Sequence, residues 1–295
     1  MADRIAGIFA PNLVPLDERG EIDEAELRRF TDWLIERGMH GLFVNGSTGE
    51  FTRFTPEERR RIVRVVCEEV NGRVPVIAGA SEAHVGETVR ACETYLGYGA
   101  RAVAIVSPYY FKLGQETIEA YFRQIAERSP IDVVLYNIPA FASPMSLETI
   151  RRLAELPRVI GIKESSGDMG FMLRLLAAVR RDRPEFSVMT GAEAVLVPML
   201  AMGVDGGTHS TANVVPEVMR KMYDLVRGGR LDEARDLQLR LLELLDLLIA
   251  VERPEGFRAA AEVRGFRMGK GRQPTGAMQI DVDRMRGLIE GILRA

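Results

Sequence analysis

The chain has 295 residues, 46% of them hydrophobic and 27% charged, enough to bury one sizeable core or a core with an appendage. Its 39 lysines and arginines against 42 aspartates and glutamates leave a formal net charge of -3, so no sign dominates and a nucleic-acid partner is not expected. Cys67 and Cys92 are too few for a disulfide framework or a zinc site, and Met1-Ala2-Asp3-Arg4 lacks the basic, apolar, small-residue order of a secretory signal, which together point to a reducing, cytoplasmic setting.

From the first residues to about Ser210, short β-branched runs alternate with longer segments of helical period, the rhythm of βα units and a parallel sheet. The first strand is predicted over residues 5–10. Asp23 with Glu26 then opens a helix, whose buried stripe is Leu27, Phe30 and Leu34 and whose end is Gly38. After the second strand, 41–45, Thr55-Pro56-Glu57-Glu58 supplies a cap, a proline suited to the first helical position and the other half of a capping box. Strands follow at 74–78, 102–106 and 133–137, and Ser146 starts a helix after Pro144. The remaining strands are predicted at 159–162, 187–190 and 204–207, making eight.

Eight such units predict an α/β fold of the TIM (β/α)8 barrel type. A doubly wound open sheet would show the same alternation, but with fewer strands and a glycine-rich turn after the first one; here Pro11-Asn12-Leu13 stands in that place. Beyond the eighth unit the pattern is purely helical, over 213–227, 230–251, 255–265 and 281–293. The expected division is therefore a barrel over 1–227 and a C-terminal helical extension over 228–295. In the extension Leu237, Leu241, Leu244, Leu248 and Val251 form a seam suited to packing on another helix, either in the same chain or in a second subunit. Glu243 and Asp246 within this most apolar stretch rule it out as a membrane span.

A barrel does its chemistry at the carboxy-terminal ends of its strands. Three places there carry unusual polar residues. Asn45-Gly46-Ser47-Thr48-Gly49-Glu50 ends the second strand, and its glycines, amides and hydroxyls suit a carboxylate; taken alone it also reads as an ordinary turn. Lys163, in Gly161-Ile162-Lys163-Glu164-Ser165, ends a buried strand, where desolvation favours the neutral amine that attacks a keto carbon; reaching solvent or pairing with Glu164 is the bland alternative. Tyr136, in Tyr136-Asn137-Ile138-Pro139, ends the strand before it, and a phenol within reach can carry protons to and from a carbinolamine.

These motifs, with Pro108-Tyr109-Tyr110 after the fourth strand and Gly206-Gly207-Thr208-His209-Ser210 at the eighth, stand in an order and spacing that resembles the dihydrodipicolinate synthase and N-acetylneuraminate lyase family of pyruvate-dependent class I aldolases. The resemblance spans essentially the whole chain. It implies that Lys163 is the Schiff-base lysine, Tyr136 the proton-relay tyrosine, and the amides and hydroxyls of Ser47 and Thr48, next to Gly46, the pyruvate carboxylate site. Tyr110 looks like the tyrosine that a neighbouring subunit lends to the relay through Thr48, which implies a homotetramer. Thr208 and Ser210 are then substrate-side residues, and His209 either contacts substrate hydroxyls or is a turn histidine that merely satisfies backbone groups. The iminium is itself the electron sink, so no metal or other cofactor is expected.

The synthase branch of that family usually has an arginine two residues after the proline of its Tyr-Asn-x-Pro motif, and this chain has Phe141. A phenylalanine cannot grip the carboxylate of an aldehyde partner as a bidentate arginine does. Phe51-Thr52-Arg53-Phe54 also lacks the histidines of lysine-inhibited synthases. The expected reaction is therefore cleavage or formation of a 2-keto-3-deoxy sugar acid, of the 2-keto-3-deoxygluconate aldolase kind, with dihydrodipicolinate synthesis from pyruvate and aspartate semialdehyde as the alternative and a non-catalytic keto-acid-binding protein as the third reading. Gly206-Gly207 lies where barrels hold phosphate, which leaves phosphorylated and unphosphorylated acids both open.

Overall fold

A strand with no free edge has both rows of backbone groups paired, and eight parallel strands reach that condition here by closing on themselves. The computed structural model describes residues 4–276 and 279–295. The strands are β1 (Gly7–Ala10), β2 (Gly41–Val44), β3 (Val76–Gly79), β4 (Ala102–Val106), β5 (Val133–Asn137), β6 (Val159–Glu164), β7 (Ser187–Thr190) and β8 (Gly206–Thr208), and they close in sequence order with β1 beside β8. All eight stand where the β-branched runs placed them, three with the expected bounds and the other five with ends displaced by one or two residues. The displacement that matters is β6, which runs on through Lys163 and Glu164. Tyr136 and Asn137 pair with these two residues on one side, and Met189 and Thr190 on the other.

The helices that cover the barrel are α1 (Glu24–Glu36), α2 (Pro56–Val70), α3 (Val85–Gly97), α4 (Gln115–Arg128), α5 (Leu147–Ala154), α6 (Met169–Asp182), α7 (Leu196–Ala201) and α8 (Pro216–Arg227). Their starts follow the capping residues. Thr55 accepts the Glu58 N–H through its hydroxyl at 3.3 Å, and the Glu58 carboxylate accepts the Thr55 N–H at 2.8 Å, a reciprocal cap of the kind that contributes about 1 kcal/mol. Ser146 caps α5 in the same sense through the Thr149 N–H at 3.1 Å. At α1 the expectation holds only by half. Asp23 accepts the Glu26 N–H at 3.0 Å, but the Asp23 N–H goes to the Pro15 carbonyl, and the buried Glu26 carboxylate turns to Arg29 and to the Arg267 N–H at 2.6 Å. The second half of the box is spent on holding the chain's last quarter to its first helix.

Three further helices, α9 (Leu231–Ile249), α10 (Glu255–Val263) and α11 (Val282–Leu293), form the extension. Of the two partners left open for the leucine seam, the structure realises the internal one: Leu237, Leu241, Leu244 and Leu248 are buried within the chain, with α9 packed on α7, α8, α10 and α11. Among the described residues no helix is long and apolar enough to cross a membrane.

The core is divided by the sheet. Inside the barrel, Phe9, Phe43, Ile77, Val134, Tyr136 and Met189 interdigitate; outside it, a larger apolar layer fills the space between strands and helices. The interior therefore plugs the amino-terminal side and leaves only the carboxy-terminal rim to open to solvent.

Candidate active site

Above the interior plug the strand ends surround a cavity of about 470 Å³, lined among others by Ser47, Thr48, Tyr136, Phe141, Lys163 and Ser210. Lys163 is 6% exposed, and it is the buried one of the chain's four lysines; Lys112, Lys221 and Lys270 lie on the surface. Its amino group sits 4.2 Å from the centre of the Tyr136 ring and 4.5 Å from that of Phe43. Room for its stem comes from Gly191, where a Cβ would lie 2.9 Å from the lysine Cε and would strike the Ser165 hydroxyl.

Glu164 does not pair with Lys163. Buried at 1% exposure, its carboxylate accepts from the Asn137 side-chain amide and from the Ser166 N–H at 2.6 Å, while the Asn137 side-chain Oδ1 accepts the Met145 N–H at 3.0 Å. These bonds lock the ends of β5 and β6 together one residue beyond the Tyr136–Lys163 pair, so both side chains are aimed by a fixed backbone.

The turn after β2 is bracketed by two non-glycine residues in the left-handed region, Asn45 at φ 56° and Glu50 at φ 55°. Their cost is sustained by built-in partners: the Asn45 amide donates to the Arg59 carbonyl at 3.0 Å, and Glu50 is held by two arginines described below. Within the turn the Gly46 and Ser47 carbonyls accept from Phe51 and Glu50, while the amides of Ser47 and Thr48 have no acceptor among the described residues. Two free N–H groups flanked by hydroxyls suit a carboxylate. Gly46 itself does not line the cavity; its α-carbon backs onto the Phe43 ring.

Ser47, rather than Thr48, meets the tyrosine: its hydroxyl lies 3.3 Å from the Tyr136 hydroxyl, while Thr48 is 2.8 Å from that of Ser210. Tyr110 stands outside its own chain's cavity, 92% exposed and with Phe111 packed edge-on at 5.0 Å. Thr208 and Ser210 line the cavity, but His209 does not. Gly206 and Thr208 pair with the inward-facing Met189 and Phe9, so alternation turns Gly207 and His209 to the other face of β8. The imidazole lies wholly buried over Gly207, where a Cβ would overlap it, and neither ring nitrogen has a partner among the described residues, so neither the contact with substrate hydroxyls nor the turn histidine that satisfies backbone groups is realised. Burial, with the Lys163 charge second, holds the His209 pKa down at about 3.

Several cavity residues carried no signal in the sequence reading. Ser165 follows the lysine by two, and its hydroxyl is buried without a partner among the described residues. Glu193, 8% exposed in the β7–α7 loop, accepts the Ser210 N–H at 2.7 Å. Arg53, Arg253, Pro254 and Phe257 bring the extension to the mouth. Behind them the Glu50 carboxylate is divided between Arg53 at 2.7 Å and the 2%-exposed Arg258 at 3.1 Å, whose guanidinium also donates to the Val14 carbonyl at 2.9 Å and to those of Met268 and Gly269. Burial pulls the Arg258 pKa below its ordinary value against the attraction of Glu50. A strand-end search could have found Ser165; an arginine fifty residues beyond the barrel's last strand could not have been placed by spacing.

The chain matches the dihydrodipicolinate synthetase family model over residues 4–286. Among curated relatives, a 4-hydroxy-tetrahydrodipicolinate synthase of Methanopyrus kandleri is 35% identical over 277 residues, 93% of this chain and 91% of that one. An uncharacterised DapA-like lyase of Pyrococcus horikoshii is 34% identical over 262 residues, 88% of this chain and 90% of that one. Among solved structures, the Escherichia coli prophage protein YagE, of the dihydrodipicolinic acid synthase family and in complex with pyruvate, superposes with a TM-score of 0.90 at 25% identity, covering 99% of each chain.

Proposed function

The chain belongs to the dihydrodipicolinate synthetase family, as a lyase of the class I pyruvate-dependent aldolase type, and from that premise we propose that Lys163 forms an imine with the keto carbon of a 2-keto-3-deoxy sugar acid and cleaves it to pyruvate and an aldehyde. The observation that carries this reading is the buried Lys163 amino group beside Tyr136, in a cavity whose turn offers two unoccupied amides. The amine adds to C2; the carbinolamine loses water as Tyr136 delivers a proton to the departing hydroxyl; the iminium results. Tyr136 then takes the proton of the C4 hydroxyl, the C3–C4 bond breaks, and its electron pair enters the iminium to give the enamine while the aldehyde leaves. Protonation at C3 and hydrolysis release pyruvate. Ser47, 3.3 Å from the phenol, supports its orientation, and the Ser47 and Thr48 amides receive the C1 carboxylate.

Phe141, 57% exposed on the cavity wall, supports a hydroxylated rather than an amino-acid-derived aldehyde half. Glu193, after β7, adds an acceptor for a substrate hydroxyl in the same cavity. The second reading, condensation of pyruvate with aspartate semialdehyde, is favoured by the names of curated relatives. A panel of 2-keto-3-deoxy acids assayed for pyruvate release, beside pyruvate and aspartate semialdehyde, separates the two. Phe141→Arg is expected to move the specificity ratio toward aspartate semialdehyde by roughly ten- to a hundredfold, the worth of one charge-assisted contact. A wild-type protein that condenses aspartate semialdehyde efficiently and ignores every sugar acid overturns the first reading and leaves the lysine chemistry intact.

We further propose a homotetramer in which Tyr110 completes a neighbour's relay. Tyr110 is held at φ 82°, a conformation that costs a bulky residue about 1–3 kcal/mol, and it presents with Phe111 an uncovered aromatic pair. A partner surface supplies the reason for both. Sedimentation velocity should show a tetramer at assay concentration, with Tyr110→Ala shifting it toward smaller species and lowering kcat; a fully active monomer would overturn the shared site.

A further inference from the structure

Three basic side chains, Arg53, Lys163 and Arg253, and two acidic ones, Glu50 and Glu193, line the cavity, and the acids are already engaged: both Glu50 oxygens are taken, by Arg53 and by the buried Arg258, and Glu193 accepts the Ser210 N–H at 2.7 Å. Arg253 lines the cavity with an exposed side chain and no acidic partner within salt-bridge distance among the described residues. Its position is tied down, because its own carbonyl accepts from Arg53 at 3.4 Å and Pro254 and Phe257 beside it are buried against the rim. An arginine held at a cavity rim with its charge uncompensated is a ready receiver for a planar or tetrahedral oxyanion.

At the other end of the cavity, the Ser47 and Thr48 amides take the carboxylate next to the reacting carbon and Lys163 takes that carbon. Arg253 belongs to neither group, since it stands on the extension, between α9 and α10, rather than on a strand end. We propose that Arg253, flanked by Arg53, is the subsite for an anionic group at the distal end of the aldehyde half, a carboxylate or a phosphate. The inference rests on the reading of the cavity as a pyruvate-aldolase site, and it deepens that reading: the chain between the two anchored ends passes Phe141 and Glu193, and the far terminus is charged.

The test uses enzyme in which pyruvate has been fixed on the lysine by borohydride, so that only the distal part of the cavity remains open. D-glyceraldehyde, D-glyceraldehyde 3-phosphate and tartronate semialdehyde are titrated calorimetrically into this form of the wild type and of Arg253→Gln. At least one of the two anionic aldehydes is expected to bind about tenfold or more tightly than neutral glyceraldehyde, and Arg253→Gln to erase that advantage while leaving the affinity for glyceraldehyde unchanged. Preference for the phosphate or for the carboxylate tells the two sources of the anion apart. Equal affinity for all three compounds, or an anion preference that survives the substitution, overturns the proposal. Failure of the sugar-acid reading is distinguishable: untreated enzyme would then release pyruvate from none of the 2-keto-3-deoxy acids, while the titration still reports on Arg253.

Discussion

On the proposed chemistry, Lys163→Met is expected to abolish the borohydride-trapped pyruvate adduct and to lower pyruvate release by at least about four orders of magnitude, a loss of the size seen when a covalent nucleophile is removed. Methionine keeps the unbranched stem that runs between the Phe43 and Tyr136 rings, so the packing of the barrel interior is preserved and the change reads chemistry rather than folding. In the wild type, intact mass should rise by one reduced pyruvate, and peptide mapping should put it on Lys163. The chain suits this measurement because its other lysines, Lys112, Lys221 and Lys270, lie on the surface. Adduct on one of those three, or an active protein that traps none, refutes the assignment.

The second large effect concerns acid stability. His209 is wholly buried, and its pKa is held at about 3, against 6.5 for the unperturbed ring, by desolvation and then by the Lys163 charge. Between those values the unfolded chain binds a proton that the folded chain refuses. Stability is therefore complete above about pH 6.5 and declines as pH falls toward 3, at up to about 1.4 kcal/mol per unit, which makes about 2 kcal/mol by pH 5. Denaturant titrations at pH 7 and pH 5 should show this loss in the wild type. His209→Leu, which has no proton to accept, should lose about 2 kcal/mol less over the same interval. An identical pH dependence for the two proteins would mean that His209 takes up its proton in the folded state.

Eight strands and their order were legible because each βα unit carries its own period and caps. Buried on both faces, strands such as Val133–Asn137 read as apolar runs, and Thr55 and Ser146 mark helix starts by the hydrogen bonds they make. The positions of Lys163 and Tyr136 were legible for a related reason: neighbouring parallel strands in register must bring their ends together, and these two residues are direct Cα partners. The place of His209 was not legible, because a turn after a strand gives no parity from sequence; only the pairing of Thr208 with Phe9 decides which face the next residue takes. Glu26 was misread as half of a capping box because its true partner, the Arg267 N–H, lies 241 residues away. The mouth was invisible for the same reason, since Arg253 and Phe257 reach the cavity through tertiary packing and no local rule.

Arg258 carries a consequence for anyone who would treat this chain as interchangeable parts. We propose residues 228–295 as an appendage to the barrel, yet this one guanidinium, rooted in the appendage, is threaded beneath the turn after β2 to Glu50 and the Val14 carbonyl. A chimera that grafts another relative's last quarter onto this barrel would inherit a different floor under Glu50 and a different rim at position 253 in the same stroke. Selection on such a lineage would act on the helices and the strand ends as a single heritable unit, so new aldehyde preferences could arise from exchanges made far outside the barrel's own loops.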